Sequence, residues 1–378
     1  MRRWLKFLAA LMAFGLLAAA CGDSGGDNAA SSTTAADTGD TGGGGGGSGK
    51  IAVLLPDSAS SSRWENDDRR FFEQAFADAG LSGDDYTILN AEGDAAQQQT
   101  QAEQAITNGA TVILMVNLDS GSGAAIIDNA HQNGVKVIDY DRLTVEGPGA
   151  DYYVSFDNVA VGRLMGEAMT EALADFNGTP NVVVLDGGPT DNNATLFHNG
   201  YMGVIQPKFD SGEWNLVDDQ AVPDWDNVQA QTIFEQILTA SGNKVDGVVV
   251  ANDGMAGGVI SALKAQGLNG IPVTGQDATV GGIQNILTGD QYMTVYKAIK
   301  AEAGAAADLA VALRNGETPS GVDAAVNNGT NDVPSKLLVP VTVTRDNIAE
   351  TVIADGFRTI EEVCTGDVAA ACTAAGLS

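Results

Sequence analysis

KIAVLLPDSASSSRWENDDRRFFEQAFADAG, residues 50–80, decides the fold. Ile51–Leu55 is a continuous apolar run of strand length. From Trp64 to Ala79 the spacing changes: Phe71, Phe72, Phe76 and Ala79 recur at helical intervals. A strand with no polar alternation is buried on both faces, which is the habit of parallel sheets covered by helices. Strand, loop and helix here make the first unit of an alternating α/β chain.

The unit repeats downstream. Strands are expected at Tyr86–Leu89, Thr111–Val116, Val135–Asp139 and Tyr152–Phe156, with helices at Ala95–Thr107 and Ala124–Gln132. A second series follows the helix Val159–Phe176. Its strands are Asn181–Leu185, Leu216–Asp218, Val245–Ala251, Ile271–Thr274 and Tyr292–Val295. Its helices lie near Leu196–Ile205, Asn227–Thr239, Gly257–Gln266 and Gly282–Leu287. A helix Ala298–Arg314 and a strand near Leu337–Thr344 complete the pattern. Two successive open, doubly wound parallel sheets are the fold expected, and such sheets bind ligands at the carboxyl ends of their strands.

Polar and aromatic residues gather at those ends: Asp57, Arg63 and Trp64; Asp141 and Arg142; Asp191, Asn192 and Asn193; Trp225; Asn252 and Asp253; Gln276 and Asp277; Lys297. Carboxylates accept from a hydroxyl, Arg and Lys donate to it, and Asn does both. An indole face packs on the C–H face of a pyranose ring. The set suits a neutral polyhydroxylated ligand. It holds no His or Cys, so neither a metal site nor acyl-transfer chemistry is expected. Several residues have plainer readings. Asp141 and Arg142 could be a turn ion pair, Asp191–Asn193 and Asn252–Asp253 helix caps, and Trp64 core. Paired Asp residues could suggest a glycosidase, but the layout fits binding better, and no catalytic residue is expected.

Upstream of residue 50 the chain differs in kind. Arg2, Arg3 and Lys6 precede an apolar run, Phe7–Leu17, and Ala18–Ala20 precede Cys21. This reads as a secretory signal over residues 1–20, and the Cys after small residues resembles a bacterial lipobox, which implies lipidation of Cys21. Residues 21–49 are a Gly-rich low-complexity tether that cannot bury a core, with an end-to-end reach of roughly 30 Å. GGGGSGK at 44–50 is not a phosphate-binding loop: Ile51 stands where Ser or Thr is needed, and the stretch precedes a strand instead of following one. Removal of the signal leaves 16 basic against 49 acidic residues, a balance that repels nucleic acid. Cys364 and Cys372 remain, in a chain bound for an oxidising exterior. A disulfide is expected, with two free thiols or half a metal site as the alternative.

Longer stretches carry a family resemblance: RWENDDRRFF from Arg63, VIDYDR ending at Arg142, DYYVSFDN from Asp151, GGPTDNNATLF from Gly187, VVVANDGMAGGVISAL from Val248, GQDA from Gly275, MTVYK ending at Lys297 and NNGTNDVPSKLL from Asn327. From about Lys50 to Arg358 the chain resembles the D-xylose-binding proteins of bacterial ABC importers, in the pentose- and hexose-binding class of type I periplasmic binding proteins. The resemblance implies two lobes joined by three crossings, near Asp157, Tyr296 and Lys336. The lobes would be 50–157 with 297–335 and 158–296 with 336–378. It implies a sugar site of Arg63, Asp141, Arg142, Asp191, Asn193, Trp225, Asn252, Asp277 and Lys297, with Trp64 as a wall. It implies an ABC permease as partner; no enzyme activity, no cofactor and a monomer are expected, and the lipobox-like residues imply anchoring through Cys21 on the outer face of the cell membrane. Ala221 stands near the place of a second Trp in the family, so another monosaccharide (glucose, arabinose or ribose) stays open, as does delivery to a chemoreceptor or sensor kinase.

Overall fold

The computed structural model describes residues 49–377. The expected signal, Cys21 and nearly all of the tether lie outside them. Among the described residues, ten of the twelve strands belong to two main sheets. β1 (Lys50–Leu55), β2 (Tyr86–Asn90), β3 (Ala110–Met115), β4 (Lys136–Tyr140) and β5 (Tyr152–Phe156) pair in parallel. The second sheet holds β6 (Asn181–Asp186), β7 (Asn215–Ala221) and β8 (Gly247–Val250), parallel in the order β7-β6-β8. β9 (Thr294–Tyr296) lies beside it. β10 (Ala324–Asn327) and β11 (Asp332–Leu338) return to the first sheet, whose order is β10-β11-β5-β4-β3-β1-β2, and β12 (Val341–Val343) pairs antiparallel with β9.

Helices cover the sheets: α1 (Arg69–Asp78), α2 (Ala95–Thr107), α3 (Ser120–Gln132), α4 (Asn158–Ala172), α5 (Asn192–Asp210), α6 (Asn227–Ser241), α7 (Asp253–Ala265), α8 (Val280–Thr288), α9 (Ile299–Arg314), and the short α10 (Ile360–Val363) and α11 (Ala369–Ala374). Most starts are fixed locally: Asp94, Asp119, Asp157, Asp191, Asp226 and Asn252 each accept a backbone N–H of the helix they open. The apolar strand runs are sealed as the pattern requires, with Ile51–Leu55 and Val182–Leu185 at 1 % exposure or less.

Three expectations change, and the expected disulfide is present. The helix from Trp64 opens with one turn of π-helix, Trp64–Asp68, and such turns cluster at functional sites. Ile271–Thr274 forms no full strand; it extends the second sheet by the single bridge Val273 to Val248. The strand near Leu337–Thr344 is two strands in different sheets, β11 and β12. Lys336–Leu338 pairs with β5. Cys364 and Cys372 are disulfide-bonded with Cα atoms 5.8 Å apart, which ties α10 to α11.

Candidate functional site

The cavity sits between the two sheets, at the carboxyl ends of the strands. Asp141 and Arg142 follow β4, Asp191 and Asn193 open α5 after β6, and Trp225 closes a turn after β7. Asn252 caps α7 after β8, and Lys297 follows β9. Arg63, Trp64 and Asp277 join them, so all ten expected residues line one narrow cavity with about 20 Å³ of free space. Each is buried. Ser60, Ser61, Phe197 and Gln276 complete the wall.

Asp141 is the electrostatic centre. Its Oδ2 accepts from Arg63 Nη1 at 2.8 Å and from Lys297 Nζ at 3.0 Å. Burial works against its charge, but Lys297, Arg63 and Arg142 outweigh burial and hold the carboxyl well below the usual carboxylate range. Arg63 is buried among acids: Nε and Nη2 reach Asp68 at 2.9 and 2.8 Å, and Nη2 also reaches Glu302 at 2.9 Å. Burial opposes its charge too, and the three acids more than compensate. Burial, with Asp141 close by, pushes the Glu302 carboxyl far up.

The plain readings and the cavity reading coexist at two positions. Asp191 accepts Asn193 N–H through Oδ1 as a helix cap, while Oδ2 takes Trp225 Nε1–H at 3.1 Å and faces Arg142 Nε at 2.9 Å. Asn252 caps α7 through Oδ1 and turns its Nδ2 to the Ser60 carbonyl at 3.3 Å. Asp141 and Arg142 are not a turn pair: each finds its partner elsewhere. Trp64 belongs both to the core and to the wall, with the Arg63 guanidinium 4.2 Å above its ring.

Backbone strain collects at the same place. Asp141, Trp225 and Asp277 have φ of 62°, 56° and 96°, a region costly for residues with a Cβ and tolerated where surroundings over-determine it. Trp225 lies so close over Gly187 that a Cβ there would meet its ring at 2.1 Å. Asp277 Oδ1 and Gln276 Oε1 are buried with no hydrogen-bond partner among the described residues, so the wall still offers acceptors to a hydroxylated ligand. Ala221, by contrast, is exposed at the end of β7, away from the cavity.

Glu302, Phe197, Ser60 and Ser61 were not foreseen. Glu302 had a signal: an acid on the face of α9 shared with the buried Ile299, Ala303 and Ala306. The two serines sit in a Ser-rich loop with no pattern to mark them. Among the described residues, Asp186, His198 and Asp219 bring one ligand atom each within 4.8 Å of one another and could hold a metal ion. They do not line the cavity.

Two α/β lobes that close polar groups into one cleft define a solute-binding protein. Residues 51–318 match the family described as periplasmic binding protein domain, and the chain belongs to that family. The chain is 41 % identical over 308 residues to the D-xylose-binding periplasmic protein of Escherichia coli, covering 81 % of this chain and 90 % of the relative. It is 32 % identical over 320 residues to a multiple sugar-binding periplasmic receptor of Rhizobium radiobacter, covering 80 % and 89 %. A carbohydrate transporter solute-binding protein of Chloroflexus aurantiacus, solved in complex with D-glucose, superposes with a TM-score of 0.75 at 31 % identity, covering 82 % of this chain and 97 % of that one. This is a family of extracytoplasmic transport proteins and not of enzymes. No described helix is long and apolar enough to cross a membrane.

Proposed function

We propose that this chain captures D-xylose between its two lobes and delivers it to an ABC importer. The observation that carries the reading is the convergence of ten strand-end residues on one buried cavity, with three cations, three acids, two carboxamides and two indoles disposed for sugar hydroxyls and a ring face. The relatives named for D-xylose support the choice of sugar. The moving bodies would be 50–157 with 297–338, and 158–296 with the chain from 341 onward. The protein would be a monomer held on the outer face of the cell membrane by lipid at Cys21. Replacement of Cys21 by Ala should release it to the medium and abolish fatty-acid labelling.

Calorimetric titration with D-xylose, D-glucose, L-arabinose and D-ribose tests the reading. D-Xylose should bind tightest, and Asp277→Ala should weaken it by about 1–3 kcal/mol, the cost of an unpaired buried group. Binding of none of the four would end the sugar reading; tighter binding of another would replace D-xylose. The relative named as a multiple sugar-binding receptor favours a second reading, a broader monosaccharide site, which near-equal affinities in the same titration would support.

A further inference from the structure

Arg358 lies in the C-terminal segment, outside the cavity wall, yet its side chain is buried and reaches two parts of the site at once. Its Nη1 and Nη2 donate to the two carboxylate oxygens of Asp67, both at 2.9 Å. Its Nε donates to the carbonyl of Ala278 at 3.0 Å. Asp67 belongs to the π-helical turn that begins at Trp64, directly after Arg63. Ala278 follows Asp277 in the loop before α8. One guanidinium therefore joins the first-lobe turn that bears Arg63 and Trp64 to the second-lobe loop that bears Gln276 and Asp277.

The loop needs holding. Asp277 and Ala278 have φ of 96° and 47°, both in the left-handed region and neither a glycine. On the far side, Asp253 Oδ2 accepts Thr279 N–H at 2.9 Å. On the near side the Arg358 bond to the Ala278 carbonyl does the equivalent work. Arg358 is itself well seated. Its guanidinium stacks 3.9 Å over the Phe357 ring, and Phe357 packs on Phe71 at 6.4 Å and Tyr296 at 5.1 Å. The Tyr296 hydroxyl donates to Asp355. Gln284 of α8 donates to the Val363 carbonyl at 2.9 Å.

We propose that Arg358 is a positioning residue of the sugar site: it latches the Arg63–Trp64 turn to the Asp277 loop and keeps the cleft closed over its ligand. When the lobes part, the Asp67 fork must break while the Ala278 bond travels with the second lobe, so Arg358 stabilises the closed form over the open one. A planar fork with a third donor along its stem suits this task, and an ammonium does not. The inference rests on the monosaccharide-binding reading for its effect on affinity, but the latch itself does not depend on which ligand the cavity takes.

Stopped-flow tryptophan fluorescence with D-xylose tests it, since Trp64 and Trp225 both line the cavity. Arg358→Ala should speed dissociation by about tenfold or more with association changed much less, because a lost closing contact appears chiefly in the off-rate. Arg358→Lys should fall between Ala and the parent. Asp67→Asn combined with Arg358→Ala should dissociate no faster than Arg358→Ala alone. A parent-like dissociation rate in Arg358→Ala, even with a lowered melting temperature, would make Arg358 a structural anchor only and overturn the proposal. If the parent chain binds no monosaccharide, the functional reading fails separately, and hydrogen exchange in the ligand-free chain decides the latch. Faster exchange in Arg358→Ala at both 64–68 and 277–279 upholds it; faster exchange at neither, or at one alone, refutes it.

Discussion

Asp141 shows what a single residue carries in this site. Two cations bond its Oδ2, Asn193 Nδ2 donates to its Oδ1 at 3.0 Å, and its backbone is left-handed. Asp141→Asn would leave Arg63 and Lys297 buried with one anion fewer. Breaking a buried charge set by removing one member costs about 3–5 kcal/mol, so the denaturant midpoint should drop sharply and sugar binding with it. Asp139 and Asp253 behave in the opposite sense. Burial pushes both carboxyls up to about 7, against hydrogen bonds from Thr144 in one case and Gln291 in the other. Between pH 4 and 7 the folded chain keeps protons that the unfolded chain, with ordinary carboxyls, releases. Stability from these groups is therefore full below pH 4 and is lost as pH rises through 7. Melting temperature should fall from pH 5 to pH 8, and Asp139→Asn should flatten that slope. An unchanged slope would show that Asp139 is ionised throughout.

At the scale of elements, the second lobe depends on the close crossing of α4 and α5. A Cβ at Gly162 would lie 2.0 Å from the Phe197 carbonyl oxygen, and one at Gly200 would lie 2.3 Å from that of Val159. Both obstacles are backbone, so the helices themselves must separate. Overpacking of this kind costs about 1–3 kcal/mol. Because α5 begins with Asn192–Asn193 and carries Phe197, Gly200→Ala should lower both the unfolding midpoint and sugar affinity. A midpoint within error of the parent would show that the helices separate freely. The helices and most strands were legible in the sequence because each is set by its own residues: the Phe71–Phe72–Phe76 spacing, the Asp94 cap, the apolar run Val182–Leu185. What was not legible depends on partners far along the chain. Leu337–Thr344 reads as one strand, yet Leu338 pairs with Phe156 and Val341 with Tyr296. Glu302 meets Arg63 across 239 residues, and no local pattern reports that. The ten cavity residues were found because strand ends are predictable places and because a family resemblance chose among them; strand ends alone would also have offered Asp57, Asn192 and Asp253.

At the scale of the molecule, bonds cross the cavity between groups that follow the first sheet's strands and groups that follow the second's: Arg142 to Asp191 at 2.9 Å, Asn193 to Asp141 at 3.0 Å, Ser61 to Asp277 at 3.1 Å and Asn252 to the Ser60 carbonyl at 3.3 Å. The same groups face the cavity, so a sugar must exchange with some of these contacts as it binds. Contacts between protein groups and contacts to ligand hydroxyls then compete for the same donors and acceptors. A bound sugar would add ring packing and further hydrogen bonds that exist only when both sides of the cleft touch it. A ligand shifts a two-state equilibrium by its differential affinity for the two forms, which predicts hinge closure at the crossings after Phe156, Tyr296 and Leu338. Small-angle scattering should show a smaller radius of gyration with saturating D-xylose than without it. Sugar at about 100 times Kd should also add about 2.7 kcal/mol to stability. Superimposable scattering profiles alongside that full stabilisation would mean that the cleft is already closed before sugar arrives, and the hinge would then serve release to the permease in place of capture.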